Sequence, residues 1–428
     1  MVFKAKAVVM ATGGVGKSWM YTSNSWESTG DGHAMSLWAG ADLIDMECIQ
    51  FHPTGMVWPL SVRGILVTEG VRGDGGVLRN SDGKRFMFDY IPPMFAAETA
   101  DSEDEGDKWY DDHTAGRRPP ELLPRDEVAR SINTEVKAGR GSPHGGVFLD
   151  IASRRTAEDI RRRLPSMYHQ FKELAGVDIT AEAMEVGPTC HYIMGGVRVD
   201  ADSTATTAAG LFAAGEVAAG LHGANRLGGN SLSDLLVFGR RAGVGAAEFA
   251  SDRHRAITLD EGQIEAAVDA AVAPFSREDG ENPYDVQHDL QATMQSLVGI
   301  IRTGSELEEA LGKLEVLEER ATRVSLGGGH RYHPGWNLTT DLPAMLTVSR
   351  LTALGAINRK ESRGGHTRDD FPKPVAEMGA VNFVQRITGD QPSGGGVGGT
   401  PSIRTISVTP EPIPGMPDEL KELMEEAT

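Results

Sequence analysis

Cysteine is scarce in this chain: among 428 residues there are two, Cys48 and Cys190. They lie far apart and lack metal-ligand spacing, which suits a reducing compartment and leaves the chain unable to hold an iron–sulfur cluster by itself. Any such cluster would sit in a partner. Long apolar runs are missing too. No uninterrupted stretch approaches the roughly 20 residues of a membrane span, and no charged-then-apolar signal segment opens the sequence, so a soluble or peripheral protein is expected. Positive charge is in deficit, with 42 Lys and Arg against 61 Asp and Glu and a formal net charge of −19. That balance argues against a nucleic-acid or anionic-membrane binder and requires any anionic ligand to be held by a local cationic pocket. The arginines must therefore be read singly. No repeat of solenoid type is present.

The length fits roughly two to four domains. Residues 5–14 end in Ala11-Thr12-Gly13-Gly14 and predict a buried strand running into a glycine turn. Only four residues precede it, so its neighbours come either from later segments or from an N-terminal part that relatives possess. Residues 205–216 repeat the logic: a short apolar stretch, Gly215, then Glu216 where a ribose hydroxyl would sit. Two such units predict one nucleotide-binding domain, residues 1–52 and 186–255, interrupted by an insertion at 53–185. A hydrophilic stretch at 99–121 reads as an exposed loop. Helical spacing runs from Gln263 to Glu319, breaks at Gly327-Gly-Gly-His, and resumes near Leu342 to Ile357, predicting a helical domain over 256–371. Residues 372–428 form a Gly- and Pro-rich tail, with Ser393-Gly-Gly-Gly-Val-Gly-Gly-Thr inside it and an acidic helix-like segment at Pro417–Ala427.

The segment His222-Gly-Ala-Asn-Arg226-Leu-Gly-Gly-Asn-Ser-Leu places one arginine among flexible residues just before an apolar helix-like run. Glycines let backbone approach a ligand, the helix start offers unpaired N–H groups, and Arg226 adds a two-pronged donor for a carboxylate. Four other places combine a reactive side chain with a constrained backbone. They are Gln50-Phe-His52-Pro, Thr68-Glu69-Gly-Val-Arg72, Pro124-Arg125-Asp126 at a helix mouth, and Thr189-Cys-His191-Tyr before a double glycine. Each has a plain structural alternative. His52 can be a packing histidine, Arg72 a salt-bridge partner of Glu69, Thr68 a strand residue, and Asp126 an N-cap that leaves Arg125 solvated.

Taken together, these motifs resemble the flavoprotein subunit of succinate dehydrogenase and fumarate reductase. The resemblance adds Ala-Thr-Gly-Gly at 11–14, Thr29-Gly-Asp31-Gly, His191-Tyr-Ile-Met-Gly-Gly, Gly215-Glu216 and Asn358-Arg-Lys-Glu-Ser-Arg363-Gly, in family order across nearly the whole chain. It implies an α/β, Rossmann-like FAD-binding domain, an inserted α+β capping domain at 53–185 and a C-terminal helical domain. It also implies a C4 dicarboxylate substrate, succinate or fumarate, held where flavin domain and cap meet. His52, Thr68 and Glu69 would line one end of the substrate, and His191 with Arg226 would grip the other. Arg125 would shuttle the proton, backed by Glu69 and Arg72 as a relay. For FAD the resemblance points to Asp31, Glu216, Ser231 and Leu232, with Thr12, Gly13 and Gly14 close by; Asp31 would otherwise be a plain turn residue. Electrons would pass to an iron–sulfur subunit, with membrane-anchor subunits contacted indirectly. The implied location is cytoplasmic, peripheral on the inner face of the cell membrane through those partners, in the tricarboxylic acid cycle and electron transport.

The family's Gly-x-Gly-x-x-Gly fingerprint and its flavin-linking histidine are not found, because Met1 falls just before the later Ala-Thr-Gly-Gly strand. The expectation is a chain incomplete at the N-terminus that by itself binds flavin weakly or not at all, and an inactive fragment is one alternative. L-aspartate oxidase resembles the same five motifs and needs no iron–sulfur partner, although Met194, the Leu-Gly-Gly after Arg226 and the Asn358–Gly364 stretch lean towards the dehydrogenase. A rival of another class is a relaxed P-loop NTPase built on Gly16-Lys17-Ser18 with Asp150 as a metal ligand. It leaves both histidine motifs and Arg226 unexplained.

Overall fold

The helix Pro334–Asn358 is apolar on nearly every side, with Leu338, Leu342, Met345, Leu346, Val348 and Leu351 all buried. A helix hydrophobic all round has to be surrounded, and it packs against the helices Pro283–Leu297 and Gly304–Ala321. The second of these starts at a capping box in which Thr303 and Glu306 satisfy each other's backbone N–H groups. Trp19, far away in sequence, ties in by donating its indole N–H to Val298 O at 3.1 Å. The computed structural model describes residues 2–253, 257–388 and 406–414. The glycine run at 393–400 and the acidic segment at 417–427 lie outside the described residues.

In chain order the strands are β1 (Val8–Met10), β2 (Leu43–Ile44), β3 (Ile49–Met56), β4 (Val77–Arg79), β5 (Val147–Asp150), β6 (Met184–Ile193), β7 (Gly196–Arg198), β8 (Leu211–Ala213), β9 (Ala218–Ala219), β10 (Val381–Ile387) and β11 (Ile406–Pro412). The helices are α1 (Asp31–Trp38), α2 (Gly70–Gly73), α3 (Glu103–Asp111), α4 (Arg125–Lys137), α5 (Ala157–Arg163), α6 (Pro165–Gln170), α7 (Asn230–Asp252), α8 (Glu261–Val272), α9 (Pro283–Leu297), α10 (Gly304–Ala321), α11 (Pro334–Asn358) and α12 (Ala376–Gly379).

The chain divides into two units. The first contains residues 1–20, 24–50 and 192–428, and the second residues 21–23 and 51–191. In the first unit β1 and β8 form a parallel pair, and a mixed sheet runs in the order β11-β10-β2-β7-β9. Its α9–α11 bundle lies in the same unit as those sheets. The second unit is built on a sheet in the order β3-β6-β5-β4, with β4–β5 and β5–β6 antiparallel. Val147 and Leu149 of β5, Val128 and Ile132 of α4, Phe86 and Val71 share its core. The i, i+4 spacing of Val128 and Ile132 presents one face of α4 to that core.

Three local expectations need correction. The hydrophilic stretch 99–121 is no bare loop: Ser102 caps α3 by accepting the Glu105 N–H, and Glu121 is fully buried against Arg85. Three acidic residues in the first turn of α3 favour a helix there despite the polarity, because they face the positive helix end. The first strand is not buried, since Val8 and Val9 remain 48% and 42% exposed and β1 pairs with β8. Helix α11 starts at Pro334, eight residues before Leu342, because a proline with fixed φ suits the first helical turn.

Candidate functional site

In the first unit, parallel pairing sets Met10 opposite Ala213, so Thr12-Gly13-Gly14 and Gly215-Glu216 leave from the same ends of neighbouring strands. The crevice beyond the carboxyl ends of parallel strands is where α/β sheets hold ligands. Gly13 and Gly215 take φ of 77° and 75°, which glycine reaches without strain. A Cβ on Gly14 would run into the Glu216 carboxylate, so a larger residue there would displace that side chain. Glu216 Oε1 accepts the Ile193 N–H at 3.1 Å. Burial pushes its carboxyl up to about 7, against the pull of the Ile193 bond and the Arg226 charge. Asp31 opens α1 and accepts the Thr29 hydroxyl at 2.5 Å, while burial raises its carboxyl above the ordinary value. A Cβ on Gly32 would strike the Thr12 hydroxyl, so the start of α1 lies against the first turn. Thr12, Gly13, Gly14, Asp31 and Glu216 thus share one corner.

Arg226 sits in the loop before α7, whose N-cap Gly229 has φ 84°. Its side chain is buried, and Nη2 donates to Gln50 Oε1 at 2.9 Å. Gln50 Nε2 in turn donates to Asn225 Oδ1 and Arg226 O, each at 2.8 Å. The guanidinium lies 4.3 Å over the Tyr192 ring, and the Tyr192 hydroxyl meets His222 Nε2 at 3.2 Å. Asp234 Oδ2 also lies 3.5 Å from His222 Nε2. Ser231 accepts weakly from Arg226 Nη1 at 3.4 Å, and Leu232 is 68% exposed. A planar cation held by an amide and an aromatic face is pre-set for a planar carboxylate.

The second unit brings together two groups. His52 on β3 and His191 on β6 meet edge to face with ring centroids 5.7 Å apart. Burial holds His52 down at about 3, helped by the neighbouring His191, Arg72 and Arg125, so this imidazole is neutral at physiological pH. Arg125 is the first residue of α4, and its Nε donates to Glu69 Oε2 at 3.0 Å. Pro124, not Asp126, occupies the N-cap position, so the capping alternative does not hold. Glu69 also lies 3.9 Å from Arg72 Nη2. Arg72 is fully buried, donates to the Glu121 carbonyl, and has its basicity lowered chiefly by burial. Thr68 is exposed, and its hydroxyl accepts the Gly70 N–H at 2.9 Å at the start of α2. It is a turn residue and not a strand residue.

Gln50, Tyr192 and Ser23 have no role among the sequence-based expectations. Gln50 and Tyr192 adjoin motif residues, and that adjacency is the signal that points to them. Ser23, whose hydroxyl lies 2.8 Å from His191 Nδ1, has no such signal because the contact spans 168 positions. The P-loop alternative fails on geometry. Gly16-Lys17-Ser18 makes one tight turn followed by extended Trp19 and no helix, and the Lys17 ammonium rests 3.5 Å over the Trp26 ring. Asp150 is taken by Arg79 and Ser153.

Among the described residues no cluster of three or more His, Cys, Asp or Glu could hold a metal ion, and no helix is long and apolar enough to cross a membrane. Residues 1–232 match the model of the FAD binding domain, and residues 287–391 match that of the fumarate reductase flavoprotein C-terminus. A fumarate reductase (CoM/CoB) subunit of Methanothermobacter marburgensis is 42% identical over 381 residues, covering 88% of this chain and 63% of the relative. The fumarate reductase flavoprotein subunit of Escherichia coli is 38% identical over 396 residues, covering 89% and 61%. The solved structure of Mycobacterium smegmatis Sdh1 in complex with UQ1 superposes with a TM-score of 0.82 at 53% identity, over 99% of this chain and 66% of that one. The chain therefore spans about three-fifths of the length of the curated relatives it matches.

Proposed function

Since the chain belongs to the FAD-binding-domain flavoproteins, in the branch of fumarate reductase and succinate dehydrogenase flavoprotein subunits, we propose that it serves the interconversion of succinate and fumarate. The observation that carries this reading is the run Arg125–Glu69–Arg72, a cation, a carboxylate and a buried cation in direct succession. Bound FAD supplies the hydride acceptor and donor. The residues at the Thr12–Gly14 and Glu216 corner fit its ribose end. Glu216 has spare acceptor capacity for a hydroxyl, and Gly13 in the facing turn has open space over its Cα.

Arg125 takes a proton from one methylene carbon of succinate, or returns one to the matching carbon of fumarate. An arginine normally stays protonated. Here Glu69 contacts the guanidinium directly, so Arg125 hands one of its own protons to Glu69 before it takes one from the substrate carbon, and Arg72 stands next in the row. In the second unit His52, Thr68 and His191 are offered to substrate carboxylate as donors, and in the first unit Arg226 is offered in the same role. Donors aimed at the carboxylate also stabilise the charge that builds on the carbon skeleton in the transition state. Electrons leave to an iron–sulfur subunit, and through it the protein is held at the inner face of the cell membrane. The naming of its relatives as subunits supports that assembly.

The test is dye reduction by succinate, and fumarate-dependent oxidation of a reduced dye, on the flavin-loaded protein. Arg125→Ala lowers turnover about a hundred- to ten-thousand-fold while leaving fumarate binding within about threefold. Lost binding with residual normal turnover would contradict the shuttle role. Oxidation of L-aspartate without succinate turnover selects the oxidase instead.

A further inference from the structure

The short segment Tyr21–Ser23 belongs to the second unit and bridges β6 in parallel, with Thr22 opposite Cys190. The Cys190 N–H donates to Tyr21 O at 2.8 Å. The Cys190 carbonyl accepts the Ser23 N–H and the Thr22 hydroxyl, each at 3.0 Å. A carbonyl oxygen has two lone pairs, and these two short bonds use them. The Ser23 hydroxyl is 3.4 Å from that same carbonyl but 2.8 Å from His191 Nδ1. Its hydrogen therefore goes to the ring nitrogen, because the carbonyl is already saturated and further away. A neutral imidazole that accepts at Nδ1 must carry its proton at Nε2.

We infer that Ser23 is a positioning residue that fixes His191 as the Nε2–H tautomer, so that this histidine meets a substrate carboxylate as a hydrogen-bond donor. The opposite tautomer would present a lone pair to an anion and repel it. The backbone supports the arrangement from behind: a Cβ on Gly64 would collide with the Thr22 carbonyl, so Gly64 at φ 89° closes tightly over the segment that carries Ser23. His52 lies edge-on to the same ring and is itself neutral.

The tautomer claim stands on geometry alone, and the carboxylate claim rests on the proposed function. Nitrogen-15 NMR of the histidine rings in the full chain separates the two, with the His191 signal assigned by its loss in His191→Gln. In the parent protein Nδ1 is unprotonated and Nε2 protonated. Ser23→Ala gives a mixture of tautomers and lowers fumarate affinity, read by calorimetry, by about three- to tenfold, the worth of one hydrogen bond. Ser23→Thr keeps the hydroxyl and restores both readouts. A parent His191 protonated at Nδ1, or Ser23→Ala with the parent tautomer, overturns the inference. A correct tautomer in a protein that binds no fumarate supports the positioning role of Ser23 and refutes the proposed function instead. Unchanged fumarate affinity in Ser23→Ala, with the tautomer mixed, refutes the donor role.

Discussion

Glu216 shows how a single residue can report on its surroundings. Its carboxyl sits at about 7 in the folded chain against 4.5 when free, with burial as the chief cause. Between those values the folded state holds a proton that the unfolded state has released, so this group makes stability fall as pH rises from about 4.5 to 7. Glu216→Gln removes that penalty. In flavin-free protein the variant should be more stable than the parent near about pH 8 and indistinguishable from it near about pH 4.5, read as urea midpoints at both pH values. Gln50 is the second informative residue, since its amide holds Arg226 at 2.9 Å. Gln50→Leu should weaken fumarate binding about tenfold in a titration, without the larger loss of turnover expected for Arg226→Ala.

At the level of elements, the join of the 21–23 segment to the second unit's sheet turns on one strand edge and one glycine. The 21–23 segment adds to β6 only where Gly64 lets Thr22 come close. Gly64→Ala should cost about 2 kcal/mol or more, because the residue has positive φ and a Cβ has no space. Urea denaturation would measure the loss, and the His191 ring signature should be disturbed as in Ser23→Ala. Helix α7 behaves differently: among its residues only Asp234, Ala242 and Gly245 are buried, while Leu236 is 78% exposed. Leu236→Lys should therefore leave thermal stability unchanged and reduce binding of an apolar dye, since an exposed apolar strip is a liability and not a core.

At the scale of the molecule, the Asn358–Gly364 motif reads as a family marker in the sequence and turns out to be a buried knot. Arg359 bonds Glu47 at 2.6 Å, Asp45 at 2.9 Å and Glu361 at 3.0 Å, joining segments 312 positions apart. Asp45 also accepts the Phe383 N–H at 2.7 Å, which ties in β10. Burial and Glu47 push the Asp45 carboxyl up to about 6 against the pull of Arg359. Removing one member leaves buried charge uncompensated, so Arg359→Met should destabilise the chain by about 3–5 kcal/mol in urea unfolding. Adding Glu47→Leu should recover part of that loss, because an apolar pair needs no partner.

The sequence by itself determined the family and the kind of its strongly periodic elements, though not the helix α3 inside the polar stretch 99–121. Helical spacing marked α9 to α11, the two strand-glycine turns marked the nucleotide corner, and the ordered motifs named His52, Glu69, Arg125, His191 and Arg226 as candidates. Those signals are local, and local pattern survives in a one-dimensional string. Only the tertiary structure decided which charges meet and in what state. It joined Arg125 to Glu69, gave Arg226 its Gln50 and Tyr192 support, and set Ser23 against His191. It also raised Glu216 and lowered His52. Burial and contact between residues far apart in the chain control protonation and hydrogen-bond direction, and neither is written in the spacing of neighbouring residues.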